Sequence, residues 1–357
     1  MEAYHVIGLM SGTSLDGLDI AYCKFVKQKR WFFEIVHFKT VPYDALFKER
    51  LRNAHGLSSD LLDDLSLDFG VLMAQEVRRF LEENKVCQLD LIASHGHTIF
   101  HEPQKGITLQ IGSPKPLFEV SKTPVVYDFR SQDVAMGGQG APLVPLVDKM
   151  LFLSHDACLN LGGFSNVSFD VKGERRAFDV CPVNIVLNLL CAPLGLEYDD
   201  KGKLASLGEL NENLFHQLNG LDYYKKTFPK SLAWEWVDEN ILPLLKSSGL
   251  SVKSQMRTFV EHIAYQMSSV VRCHQMKSVV LSGGGAHHDF LLERLDHYAP
   301  GCWVKSTPLL VEAKEAMAFA FLGLLKYQGQ VNVLSSVTGC SEDHSSGKMY
   351  SDSSEEG

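Results

Sequence analysis

The chain has 357 residues, of which 45% are hydrophobic and 22% charged, with a formal net charge of −9. That length accommodates two domains of ordinary size, the composition excludes extensive disorder, and the acidic balance argues against nucleic-acid binding as the main role. Eight cysteines without a CxxC pair indicate neither a zinc ribbon nor a disulfide framework, and with no secretion signal and no apolar run of membrane-spanning length the expectation is a cytoplasmic protein without a membrane partner.

The first stretch, Val6 to Ala21, organises the rest. A short apolar run reads as a buried strand, breaks at a Gly/Ser/Thr turn and resumes as Leu18 to Phe25, a hairpin signal. The turn is rich in small residues whose amides and hydroxyls suit an anion. Gly12 and Gly17 are expected to supply permissive dihedrals. Asp16 and Asp19 offer carboxylates for a hydrated Mg²⁺ beside phosphates. A plain polar hairpin is the alternative.

Trp31 to Val41 reads as a third strand, and 44–55 and 59–84 as helices, the second carrying Leu61, Leu62, Leu65, Phe69, Leu72, Met73 and Val77 at helical spacing. Asp90 to Ser94 reads as a short strand ending in Ser94-His95-Gly96-His97-Thr98. Ile107 to Ile111 and Thr123 to Tyr127 follow as strands, the latter running into Asp128-Phe129-Arg130. Residues 133–142, rich in glycine, read as a linker next to a domain boundary.

A second round begins at Ala157 to Leu161, a strand ending at Gly162-Gly163, with Ser165 to Phe169 returning from the turn. Ala177 to Asp179 follows, and Pro182 is expected to open a helix. Helices are expected over 206–219, 232–246 and 254–273, then a strand over Lys277 to Leu281 entering Ser282-Gly283-Gly284-Gly285. A helix is expected from about Phe290 and another over Glu312 to Tyr327. The Ser/Asp/Glu-rich stretch from 342 to 357 reads as a frayed tail. The domains expected are therefore 1–138 and 139–341, with the last helix packing back between them.

Strand, Gly/Ser turn, strand thus occurs twice, with a third glycine turn before a helix, a pattern that suits a cleft closing on a nucleotide. In order along nearly the whole chain, Gly8–Asp19, His95–Pro103, Thr108–Gly112, Asp128–Pro145, Asn160–Asn166, Phe178–Asn184, Pro229–Glu235, Ser282–Gly285, Lys314–Phe319 and Ser336–Gly339 resemble the anhydro-N-acetylmuramic acid kinases, within the actin-like, sugar kinase and Hsp70 fold group. The resemblance implies an α/β fold of two actin-like (ribonuclease H-like) domains of duplicated βββαβα topology with a nucleotide cleft between them. It implies an enzyme that uses ATP and Mg²⁺ to phosphorylate O6 of 1,6-anhydro-N-acetylmuramic acid and opens the anhydro ring with water, in peptidoglycan recycling. By the same likeness Gly12, Thr13, Ser14, Leu15, Asp16, Gly17, Leu18 and Asp19 belong to the ATP-phosphate segment, with Gly162, Gly163, Gly283, Gly284, Gly285 and Glu315 as further ATP contacts, and Asp179 matches the catalytic aspartate. His97, Arg130, Asn184 and Glu235 fall at the amino sugar, and Asp16 at the metal. Where the family usually carries Asp-Thr-Gly-Pro-Gly-Asn, this chain has Asp179-Val180-Cys181-Pro182-Val183-Asn184; the usual Gln after His-Gly is His97, and an Arg-Asn pair is replaced by His287-His288.

Each residue also has a plainer reading. Asp179 is a candidate general base or the N-cap of a helix from Pro182. Arg130 offers a planar fork for phosphate or sugar or a surface ion pair with Asp128 or Asp133. His95, His97 and His101 suggest zinc, but their setting lacks the scaffolding such a site needs, and a sugar contact by His97 is preferred. Glu315 contacts ribose or adenine, or faces solvent on its helix. An actin-like or chaperone-like ATPase and a non-catalytic sugar or nucleotide binder are the competing functions, and a homodimer is compatible with all three.

Overall fold

The computed structural model describes residues 2–351. Twelve strands among them, in chain order, are β1 (Glu2–Ser11), β2 (Gly17–Lys27), β3 (Trp31–Pro42), β4 (Leu91–Glu102), β5 (Ile107–Ile111), β6 (Val125–Tyr127), β7 (Ala157–Leu161), β8 (Phe164–Val171), β9 (Glu174–Pro182), β10 (Val279–Ser282), β11 (Trp303–Lys305) and β12 (Lys348–Tyr350). They form two sheets in two compact units, Met1–Leu151 with Ala313–Gly357, and Phe152–Glu312.

In the first unit β1, β2 and β3 form an antiparallel meander, β4 and then β6 add in parallel beyond β1, and β12 closes the edge antiparallel to β6. The helix Ser59–Glu83 buries Leu62, Leu65, Phe69, Met73, Val77 and Phe80 in one core with Ile7, Leu9, Leu18 and Ile20. Alternation along β1 turns Gly8 to the other face. There a Cβ would stand 1.9 Å from the Ala316 carbonyl oxygen, so the helix Pro308–Tyr327 lies backbone-close against the sheet from Ala313 onward.

The second unit repeats the arrangement: β7, β8 and β9 form the meander, with β10 and β11 parallel beyond β7. Its core joins Leu159, Val167 and Leu281 to Val186, Phe259 and Ile263 from the helices Asn184–Cys191 and Val252–Cys273. The duplicated βββαβα plan is therefore present in both halves.

Several boundaries differ from the sequence reading. The strand expected over Asp90–Ser94 is the twelve-residue β4, because β5 pairs with its distal half and Gly96 takes φ +73° inside it. Residues 133–142 are no linker: the helix Ser131–Ala135 and the following turns are fastened by the fully buried Asp133, and the first unit runs on to Leu151. Residues 139–151 and 313–341 thus belong with the N-terminal unit, not with the second domain as expected. Within the expected tail, 342–351 pairs through β12 and the Val333–His344 bridge; 352–357 lie outside the described residues.

Pro182 ends β9 rather than opening a helix; on this edge strand its missing N–H leaves no ladder bond unmade. The helix expected over 206–219 runs only over Glu212–Asn219, capped by Asn211, since Gly208 is pressed against the Lys253 backbone. That expected over 232–246 breaks at Ile241 into Trp234–Asn240 and Leu242–Ser247, the second with Pro243 in its first turn.

Candidate active site

At the tip of the β1–β2 hairpin, Thr13, Ser14 and Asp16 are exposed and the Leu15 N–H donates to the Gly12 carbonyl at 3.2 Å. The one positive φ in this turn belongs to Leu15, at 60°, not to Gly12 or Gly17 as the sequence suggested. Gly17 is required for another reason: a Cβ there would lie 2.4 Å from the Val41 carbonyl oxygen of β3, whereas one at Gly12 meets only Ser14 Oγ, at 3.4 Å. Asp16 with the Thr13 and Ser14 hydroxyls is a hard-oxygen set, which fits a hydrated Mg²⁺. Asp19 differs, because the Thr40 hydroxyl donates to its carboxylate at 2.6 Å.

Behind the tip, Tyr43 Oη donates to Ser11 Oγ at 2.6 Å, and Ser11 Oγ meets His97 Nδ1 at 2.9 Å. Ser11 Oγ thus bridges the Tyr43 hydroxyl and the His97 ring. Burial lowers the His97 pKa, so the ring stays neutral. His97, Thr13, Leu15, Arg52 and His55 line a recess of about 300 Å³.

Arg130, three residues beyond β6 and just before the helix Ser131–Ala135, does not form the surface ion pair weighed above. Its Nε and Nη2 lie 3.0 and 2.9 Å from His95 Nε2, and its Nη1 donates to the Gly140 carbonyl at 2.6 Å. His95 Nδ1 lies 3.0 Å from the Gly96 carbonyl, so that nitrogen carries the proton and Nε2 accepts. Burial and the neighbouring guanidinium hold His95 neutral, and burial lowers Arg130 to about 10, still a cation at neutral pH. Asp133 accepts from the Gly140 N–H at 2.6 Å and the Thr338 hydroxyl at 2.8 Å, gripping the residue whose carbonyl positions Arg130. Asp128 is paired instead with Lys348, at 2.9 Å. His101 Nδ1 faces Thr108 Oγ1 at 3.2 Å, so the three histidines hold separate partners. Glu315 is exposed and attracts Arg130, while its neighbour Lys314 is buried against Asp148 at 2.9 Å.

In the second unit the β7–β8 turn and the turn after β10 meet. Gly162 and Gly163 carbonyls accept the N–H groups of Asn184, Val183 and Ile185, which satisfies the start of the helix Asn184–Cys191. The Asn184 amide donates to the Leu161 carbonyl at 3.1 Å. Gly283 (φ 80°) and Gly285 pack on Leu161 too closely for any Cβ, whereas Gly284 faces Asn184 with room to spare. Asn184, Gly284, Gly285, His287, Asp199 and Lys305 border a pocket of about 640 Å³. His288 has a structural duty, its Nδ1 capping the helix Asp289–Tyr298 through the Leu291 N–H at 3.0 Å.

Asp179 lies in β9, five residues before Asn184. It caps no helix: the helix beginning at Asn184 has Val183 at its cap position and no side-chain cap bond. The half-buried carboxylate accepts the Leu232 N–H at 2.9 Å, and the Asp179 carbonyl accepts the Tyr223 hydroxyl at 2.6 Å. Burial raises its pKa and the Leu232 bond partly opposes that. Glu235, in the first turn of Trp234–Asn240, is exposed three residues beyond Leu232. Leu232, Gly140 and Tyr223 escaped the sequence reading because two act through backbone groups, which leave no side-chain signature, and Tyr223 binds a backbone carbonyl far off in sequence.

The model of the anhydro-N-acetylmuramic acid kinase family matches residues 4–352. The chain belongs to this family. The anhydro-N-acetylmuramic acid kinase of Pseudomonas savastanoi pv. phaseolicola is 35% identical, covering 97% of this chain and 99% of that protein, and that of Bacillus cereus (strain ATCC 10987 / NRS 248) is 32% identical over 94% and 96%. Among solved structures, the Clostridium difficile activator of 2-hydroxyisocaproyl-CoA dehydratase with bound ADPNP aligns at 12% identity and TM-score 0.43, covering 91% of this chain and 97% of that one. A Streptomyces griseus ROK glucokinase in complex with glucose and AMPPNP aligns at 10% identity and TM-score 0.39, covering 90% and 99%. At those scores the structural likenesses add nothing to the family assignment. Across the described residues of this kinase-family chain, no helix is long and apolar enough to cross a membrane.

Proposed function

We propose that the protein is an ATP-dependent kinase that converts 1,6-anhydro-N-acetylmuramic acid to N-acetylmuramic acid 6-phosphate with hydrolytic opening of the anhydro ring, in the cytoplasmic recycling of peptidoglycan. The observation that carries this reading is Asp179, a half-buried carboxylate of raised pKa held by the Leu232 N–H, in a chain matched to the kinase family over residues 4–352. A carboxylate so placed takes a proton from water at a pH where an ordinary one is too weak a base. Water then bonds C1 as the C1–O6 bond opens, O6 takes the γ-phosphoryl group, and ADP leaves.

Phosphoryl transfer depends chiefly on positioning and charge stabilisation. In this reading the turn Gly12, Thr13, Ser14 and Leu15 receives the phosphates, foremost through the exposed Thr13 and Ser14, with Gly17, Leu18 and Asp19 anchoring the hairpin. Asp16 would hold a hydrated Mg²⁺, which neutralises phosphate charge. Gly162, Gly163 and Gly283 to Gly285 shape the nucleotide's other contacts, and Glu315 reaches ribose or adenine. Arg130, pre-oriented by His95 and Gly140, presents a fixed fork to the sugar's polar groups, joined by His97, Asn184 and Glu235. The test is incubation with ATP and the anhydro sugar, followed by mass spectrometry. Formation of a 6-phosphate of the ring-opened sugar supports the proposal, and ATP hydrolysis with the sugar unchanged overturns it.

A further inference from the structure

Where β12 folds back on the first unit, three side chains of different chemistry meet. Asp133, Cys340 and His344 are all at least nine-tenths buried, and one ligand atom from each lies within 4.8 Å of the others. The chain reaches this point from two directions, from the helix Ser131–Ala135 and from the turn after Ser335–Thr338, and the Thr338–Asp133 bond joins the two segments.

The hydrogen bonding singles out one atom. His344 Nδ1 faces the Glu342 carbonyl at 3.1 Å and carries the ring proton, so Nε2 keeps its lone pair. That Nε2 is buried and without a hydrogen-bond partner among the described residues; its nearest charged neighbour is Asp133 Oδ1, at 3.7 Å. A lone pair turned towards a carboxylate is unfavourable unless a proton or a metal cation stands between them. Asp133 itself is fully buried and hydrogen-bonded by neutral donors, the Gly140 N–H and the Thr338 hydroxyl; Arg130 acts on it only at longer range. Cys340 Sγ lies 3.1 Å from the Glu342 carbonyl and 3.6 Å from His344 Nδ1, beside the same imidazole.

We propose that Asp133, Cys340 and His344 form a metal site for a divalent ion of zinc-like preference. Sulfur, imidazole nitrogen and carboxylate oxygen are the donors such an ion takes. With bonds of about 2.0 Å to N and O and about 2.3 Å to S, tetrahedral ligands stand roughly 3.3–3.5 Å apart; the 3.7 Å between His344 Nε2 and Asp133 Oδ1 is close to that, and the Cys340 side chain would turn in to meet the ion. The imidazole's other nitrogen on a backbone carbonyl is the usual outer support of a metal-bound histidine. On binding, the metal–sulfur bond replaces the thiol S–H bond and the proton passes to solvent; no electron is exchanged. The ion would tie residues 340–344 to Asp133 and so fix the Gly140 peptide that Asp133 grips.

Cobalt(II) is the probe, added to metal-free full-length protein whose exposed Cys87 and Cys273 are replaced by serine. The expected result is a thiolate-to-cobalt charge-transfer band that saturates at about one equivalent, with tetrahedral visible bands, and a rise in melting temperature with zinc. Cys340→Ser should remove the charge-transfer band, and His344→Gln should weaken cobalt binding by about tenfold or more, as even outer-shell losses do. A wild-type spectrum without the thiolate band, or one that persists in both variants, overturns the site. Should Cys340→Ser fail to fold, His344→Gln with the wild-type titration decides alone.

Discussion

The Asp179 carboxylate accepts the backbone N–H of Leu232 at 2.9 Å, a bond that joins β9 to the segment before the helix Trp234–Asn240. One neutral donor orients the carboxylate without supplying the charge that would make it a weak base, and burial raises its pKa.

Asp179→Asn keeps the size and the acceptor for Leu232 but cannot take a proton from water. Its turnover should fall by about 10²–10⁴-fold while ATP and sugar affinities change little. Wild-type turnover, measured on the same preparation as the affinities, would remove Asp179 from the chemistry.

The same carboxylate gives a pH signature. Its folded pKa is raised, so the folded state binds the proton more tightly than the unfolded chain. That contribution to stability is full below the ordinary carboxylate pKa and is lost as pH rises through the raised value. Asp179→Asn should therefore melt no lower than wild type at neutral pH, with the difference shrinking towards acid pH. Turnover of the wild type should decline below the raised pKa, where the base is protonated. A variant that melts markedly lower only at neutral pH contradicts this sign.

Gly12 and Gly17 should separate by measurement. Gly17→Ala places a methyl against the Val41 carbonyl and should cost about 1–3 kcal/mol of stability, visible in chemical denaturation. Gly12→Val should fold near normally yet lose nucleotide-dependent turnover, because its side chain crowds the tip where phosphate amides are needed. Equal melting losses would mean that both glycines serve packing.

Arg130→Lys preserves charge but cannot reach His95 and the Gly140 carbonyl with one fork. Sugar KM should rise more than about tenfold with modest loss of stability, and His95→Gln, which retains an acceptor, should lie between. An unchanged KM in Arg130→Lys would relegate Arg130 to structure.

Chelation should stop turnover and Mg²⁺ should restore it, since phosphate charge must be neutralised during transfer. Full activity in excess chelator would contradict the role given to Asp16.

The meanders, their glycine turns and the Phe69–Met73–Val77 stripe were legible in the sequence, because period-two and helical spacing are local signals. The domain limits were not. The Gly137–Gly140 stretch resembles a linker until Asp133 and Thr338, 205 positions apart, are seen to close on it. The tail's acidic and serine-rich composition likewise concealed β12, whose pairing with β6 is non-local. Asp179 is singled out by motif, but its setting is not legible: nothing in the sequence marks the Leu232 amide as its partner. Gly17 was correctly singled out for the wrong cause, since close approach of Val41 and positive φ both select glycine.

The most direct test of the ring-opening kinase is the fate of solvent oxygen. With ATP and the anhydro sugar in oxygen-18-enriched water, the account predicts one heavy oxygen in the sugar 6-phosphate, located on C1, with the phosphate oxygens and O6 unlabelled. Label in the phosphate group, or a phosphorylated product that retains the anhydro ring, would contradict it.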